Sequence, residues 1–117
     1  MSRFAPRPLS KEIADQVVAQ KLTWILEGCQ PLRVYLFGSA ARGQMTEHSD
    51  FDFALVFESR DKILEAQKNF YNRPRYDEWP QDLLLFTEEQ FNRKCLIGGV
   101  CAVIAEEGIV LYERNRD

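Results

Sequence analysis

The run Phe51-Asp52-Phe53-Ala54-Leu55-Val56-Phe57 constrains the fold more than any other segment of this chain. Seven residues with one polar member do not alternate, so the strand they predict offers no face to water and must be covered on both sides. Such a strand needs sheet neighbours and a layer of helices above and below, and the flanking sequence supplies both. Ser10 can cap a helix over 11–27, whose apolar positions Ile13, Ala14, Val17, Val18, Leu22, Ile25 and Leu26 recur at helical spacing up to Gly28. After Pro31, the β-branched and aromatic run Leu32-Arg33-Val34-Tyr35-Leu36-Phe37 reads as a first strand.

Beyond Phe57, Ser59 opens a second helix with Ile63, Leu64, Ala66, Phe70 and Tyr71 on its inward side, and Pro74 and Pro80 bound an irregular stretch after it. Leu83-Leu84-Leu85-Phe86 is the third strand. Thr87 and Gln90 form a capping box for a helix through Phe91 and Cys95, which Gly98 and Gly99 interrupt. Helical spacing resumes over 100–107, Gly108 ends it, and Ile109-Val110-Leu111-Tyr112 is a last strand. The expected class is α/β (α+β), a small mixed β-sheet with flanking helices. A length of 117 residues gives room for a single domain, 1–117, with its core over about 10–113.

Composition excludes several functions. Fifteen Lys and Arg against 18 Asp and Glu leave a formal charge of −3, so no global field draws in a polyanion and nucleic acid is not the expected partner. No stretch approaches the roughly 18 apolar residues of a membrane span, and residues 1–10 lack the apolar run of a secretory signal. A soluble, cytoplasmic protein is expected, with no membrane partner. Cys29, Cys95 and Cys101 are odd in number and lack C-x-x-C spacing, so they read as buried apolar residues rather than a disulfide framework or zinc site.

The chemistry concentrates between Leu36 and Phe53. A strand that ends in Gly38-Ser39 and turns into a short helix presents backbone N–H groups and a hydroxyl where phosphate can approach without meeting a side chain. Gly-Ser alone is also an ordinary turn. Asp50 and Asp52, two residues apart on an extended chain, leave the same face with Cα atoms roughly 6.5 Å apart, a spacing at which carboxylates converge on shared cations. Flanked by Phe51, Phe53 and Leu55, these charges repel and are poorly solvated, a conflict that a divalent cation resolves. Oxygen-only ligands suit Mg²⁺ or Mn²⁺. Taken singly, Asp50 could instead cap a turn beside Ser49, and Asp52 could be ion-paired at a strand edge.

With these residues in view, the chain resembles the nucleotidyltransferases of the DNA polymerase β superfamily, specifically the minimal nucleotidyltransferases. Their pattern is Gly-Ser, ten residues, Asp-x-Asp, and Gly38-Ser39 followed by Ala40 to Ser49 and Asp50-Phe51-Asp52 has that spacing. Arg42-Gly43 and Ser49 match commoner intermediate residues, and Glu107 to Glu113 looks like the family's last strand. Ala40 departs from the pattern, standing where a second basic residue is usual. The resemblance implies a polymerase-β-like fold and a third carboxylate opening a later strand. Asp82 before Leu83 is the residue in suitable context, with Asp77 as the competing acid.

The resemblance further implies that Asp50, Asp52 and Asp82 are catalytic and hold two Mg²⁺ ions, with Mn²⁺ as the alternative. Asp82 would also help deprotonate the attacking hydroxyl. Gly38 and Ser39 would position the triphosphate of a nucleoside triphosphate, with ATP the expected donor, and Arg42 would add a phosphate contact, its alternative being a solvated or internally paired arginine. Minimal members pair with a small all-helical protein of the HEPN type and look like antitoxins that nucleotidylate or neutralise it. The chain length leaves no residues for a separate acceptor domain, so this partner, or self-association, would present the acceptor. The alternative function is a non-catalytic nucleotide-binding module that regulates a helical partner.

The remaining candidates read as structural. His48 belongs to a solvent-exposed turn, and Trp24 and Tyr35 are packing residues. The loop bearing Arg73, Arg75, Tyr76 and Trp79 reads as partly packed, with base stacking or partner contact as its functional alternative.

Overall fold

Ser10 caps the first helix as its position predicts, its hydroxyl accepting the Ile13 N–H at 3.2 Å. The structure is a computed structural model that describes residues 7–74 and 77–115. Chain order runs α1 (Lys11–Gly28), β1 (Arg33–Phe37), α2 (Gly38–Ala41), β2 (Phe51–Phe57), α3 (Arg60–Tyr71), β3 (Gln81–Thr87), α4 (Glu88–Ile97), α5 (Val100–Glu107) and β4 (Ile109–Glu113). The sheet order is β3-β2-β1-β4. β1 runs antiparallel to both β2 and β4, and β2 and β3 are parallel, so the sheet is mixed.

β2 is the buried centre that its composition requires. Phe51, Phe53, Ala54, Leu55 and Val56 are fully inaccessible, and each buried Phe or Leu contributes about 2 kcal/mol. Because strand side chains alternate, β2 feeds two cores. Phe51, Phe53, Leu55 and Phe57 join Val17, Trp24 and Ile25 of α1 and Ala66 of α3. Ala54 and Val56 join Phe37, Phe86, Phe91 of α4, and Cys101 and Ile104 of α5. The sheet therefore lies between α1 with α3 on one face and α4 with α5 on the other.

Several sequence expectations are refined. On α3 the inward residues are Ile63, Ala66 and Phe70. Leu64 and Tyr71 are 52% and 91% exposed, because each lies one residue, about 100° of helix, past the buried stripe. β3 spans Gln81–Thr87, so Asp82 lies inside the strand rather than before it. Cys101 is buried, but Cys29 and Cys95 are only half-buried. Trp24 stacks on Phe70 at 4.9 Å and Tyr35 on Phe91 at 5.4 Å, the packing roles expected of them. The capping box of Thr87 and Gln90 is present, and Gly98 and Gly99, both at positive φ, separate α4 from α5. No helix among the described residues is long and apolar enough to cross a membrane.

Candidate active site

The strand directions gather the predicted residues. β1 ends at Phe37 opposite Asp52, near the start of the antiparallel β2. β3, parallel to β2, brings Asp82 into register with Asp52 and Gln81 with Phe51. Gly38, Ser39, Asp50, Asp52 and Asp82 thus share one end of the sheet. Phe37, Asp52 and Asp82 are register partners, which places them on one face, the side covered by α4 and α5.

Local structure holds each of them there. Gly38 has φ +71°, and a Cβ built on it would overlap the Asp52 carboxylate, meeting Oδ2 first. Both conditions require glycine: the backbone is left-handed and the vacant volume belongs to Asp52. α2 begins immediately, and no side chain caps its N-terminus. The loop between α2 and β2 is anchored by buried Met45, whose carbonyl accepts the Leu9 N–H at 2.9 Å. The Thr46 N–H donates to Ser49 Oγ at 3.0 Å and the Ser49 N–H to the Thr46 carbonyl at 3.1 Å, closing the turn that delivers Asp50.

Electrostatically this end is unresolved. The Asp52 carboxyl is held above its ordinary pKa, first by burial and then by the negative charges of Asp82 and Asp50, with Arg42 pulling the other way. Asp52 therefore feels both other carboxylates of the predicted trio. Arg42 is exposed, its Nε donating to Gln44 Oε1 at 3.2 Å and its guanidinium 3.9 Å from Glu107, which is the internally paired arginine of its second reading. Among the described residues, no three acidic, histidine or cysteine side chains are already drawn into one ligand cage. The donor chemistry nevertheless fits a hard divalent cation: Asp52, buried and facing the charges of Asp82 and Asp50, sits beside a glycine that leaves its carboxylate room.

Asp77, the competing third acid, is engaged elsewhere. Its Oδ1 accepts from Lys21 Nζ and from the Trp79 N–H, both at 2.9 Å. Trp79 packs edge-on against Phe51 at 6.1 Å, and Arg73 donates to the Trp24 carbonyl at 2.8 Å while its guanidinium covers the Trp24 ring. Both are packed into the domain, the first of their two readings. Arg75 and Tyr76 lie outside the described residues. His48 is exposed beside Glu47, as expected.

Lys21 is the residue that sequence reasoning missed. It is 1% exposed, and the signal was available: it falls on the α1 stripe of Val17, Trp24, Ile25 and Gly28, where a lysine has no reason to sit without a buried partner.

Residues 20–117 match the polymerase β nucleotidyltransferase family, and this chain belongs to it; its activity class is nucleotidyl transfer. No curated protein shows a match to the chain. Among solved structures, a candidate nucleotidyltransferase from Sulfolobus solfataricus is similar in fold, with a TM-score of 0.53 at 20% identity over 91% of this chain and 90% of that one.

Proposed function

We propose that the chain transfers a nucleoside monophosphate, AMP from ATP being the expected case, to a hydroxyl on a partner protein. The observation that carries this reading is the register pair Asp52 and Asp82 at the end of the sheet where β1 turns through Gly38 into α2. Asp50, Asp52 and Asp82 would hold Mg²⁺, or Mn²⁺, which supplies charge neutralisation for the entering and leaving oxygens. Gly38 and Ser39 would hold the triphosphate through backbone N–H groups and the Ser39 hydroxyl, and Arg42 would add a charge-assisted contact. The acceptor oxygen forms its bond to the α-phosphorus as the bond from that phosphorus to the bridging β-phosphate oxygen breaks. Pyrophosphate leaves, and the hydroxyl proton passes towards the Asp82 carboxylate. The resemblance to minimal nucleotidyltransferases favours a small all-helical HEPN-type protein as acceptor, with this chain as its antitoxin.

The test incubates the chain with α-labelled nucleoside triphosphates, Mg²⁺ and a candidate helical partner, and looks for covalent label on that partner. Asp82→Ala should lose transfer while keeping most nucleotide affinity, because the third carboxylate acts mainly on the acceptor hydroxyl. Nucleotide binding without any transfer to a verified partner would favour the regulatory module instead.

A further inference from the structure

Lys21 carries three short hydrogen bonds from the α1 side of the sheet. Its ammonium donates to Asp77 Oδ1 at 2.9 Å, to the Trp79 carbonyl at 2.8 Å and to Gln81 Oε1 at 2.9 Å. These acceptors lie at successive alternate positions of the segment that enters β3. The same nitrogen sits 5.8 Å from the centre of the Phe51 ring. Phe51 and Gln81 form the register pair immediately before Asp52 and Asp82, and the Phe51 N–H donates to the Pro80 carbonyl at 2.9 Å. One side chain therefore touches both strands one residue short of the carboxylates.

We infer that Lys21 is a positioning residue for nucleotidyl transfer: by pinning Gln81 against Phe51 it sets where the Asp82 carboxylate stands relative to Asp52. The inference rests on the proposed role of Asp82. Among the described residues β3 is an edge strand whose ladder partner is β2 alone, so its entry has strand pairing on one side there. A slip of one residue there would turn Asp82 to the opposite face. Lys21 acts from behind, because Phe51 packs with α1 while Asp52 and Asp82 share the other face. An apolar residue would fill the α1 stripe without desolvating a charge, but would lack the three directional bonds.

The experiment titrates Mn²⁺ alone into the purified chain and follows loss of the free-ion paramagnetic resonance signal. Asp82→Asn should weaken Mn²⁺ binding, and Lys21→Met should weaken it by about tenfold, the lower end of what loss of an outer-shell partner costs. The double variant should bind no more weakly than Asp82→Asn alone, since the lysine acts through that carboxylate. Val17→Ala, a core truncation on the same helix stripe, should lower stability yet keep wild-type Mn²⁺ affinity. Gln81→Leu cuts one tether without stranding a buried charge; it should shift affinity in the same direction by less, and it replaces Lys21→Met if that variant does not fold.

Lysine or glutamine variants that behave like Val17→Ala, while Asp82→Asn weakens binding, would overturn the inference and leave the proposed function standing. Additive losses in the double variant would overturn it as well, by showing that Lys21 acts through some other group. An Asp82→Asn variant with unchanged affinity would overturn the assignment of Asp82 to the metal site, and this inference with it.

Discussion

Asp77 and Asp82 lie five residues apart in one segment, yet the fold treats them oppositely. Asp77, on the α1 side, meets a buried ammonium and a backbone N–H, so its charge is answered from within the chain. Asp82, on the α4 and α5 side, stands beside Asp52, whose carboxyl is held above its ordinary pKa first by burial and then by the charge of Asp82, with the exposed Arg42 opposing. An acid paired internally does structural work, because removing its partner strands a charge. An acid left beside other acids costs stability, because each ionised neighbour raises the cost of charging the next. What separates the two roles is where the counter-charge comes from.

The largest expected effect falls on the paired side. Lys21→Met should destabilise the chain by about 3 kcal/mol, since it leaves Asp77 without its buried partner. Denaturant unfolding measures this, and a loss below about 1 kcal/mol, the scale of a surface pair, would break the contrast.

Next comes metal on the unpaired side. Mg²⁺ or Mn²⁺ at 100 times its dissociation constant should stabilise the native state by about 2.7 kcal/mol, with removal by chelator reversing the gain. Melting curves with and without metal test it. The shift should shrink in Asp52→Asn, and an undiminished shift would move the site elsewhere.

Gly38→Ala should cost about 1–2 kcal/mol for the left-handed backbone alone, and should also displace the Asp52 carboxylate that occupies the vacant volume. Loss of metal response beyond the loss of stability would show the displacement; an unchanged metal response would mean that Asp52 does not need that volume.

The smallest effect has the most telling sign. Asp52 is raised in the fold, so the native state binds more protons than the unfolded chain between the ordinary value of about 3.9 and the raised one. Stability should therefore fall as pH rises through that window, and recover as pH drops back through it. Asp52→Asn removes this dependence and should stabilise the metal-free chain near neutrality, by less than about 1 kcal/mol because the group is solvent-screened. Destabilisation by that substitution would make Asp52 a structural acid like Asp77.

Much of this site could be read before folding. Gly38-Ser39 at a strand end and Asp50 and Asp52 at alternate positions follow from local rules, and the structure keeps both arrangements. The start of β3 was less legible. Hydrophobic pattern marked Leu83 to Phe86, but Gln81, which accepts from Lys21, and Asp82, in register with Asp52, are polar, and hydrophobic pattern is silent at polar strand positions. Choosing between Asp77 and Asp82 required knowing that Lys21, in a helix at the other end of the sequence, approaches one of them.

Sequence alone determined the elements and the doubly covered centre of the sheet, because helix and strand periods, caps and turns depend on residues a few positions apart. It also determined the alternate spacing of Asp50, just before β2, and Asp52 within it. Tertiary structure decided the strand order, the register that sets Asp82 beside Asp52, and the burial of Lys21 behind them. Those features depend on contacts between distant segments, and a one-residue change of register reverses which face a side chain occupies while leaving every local signal the same.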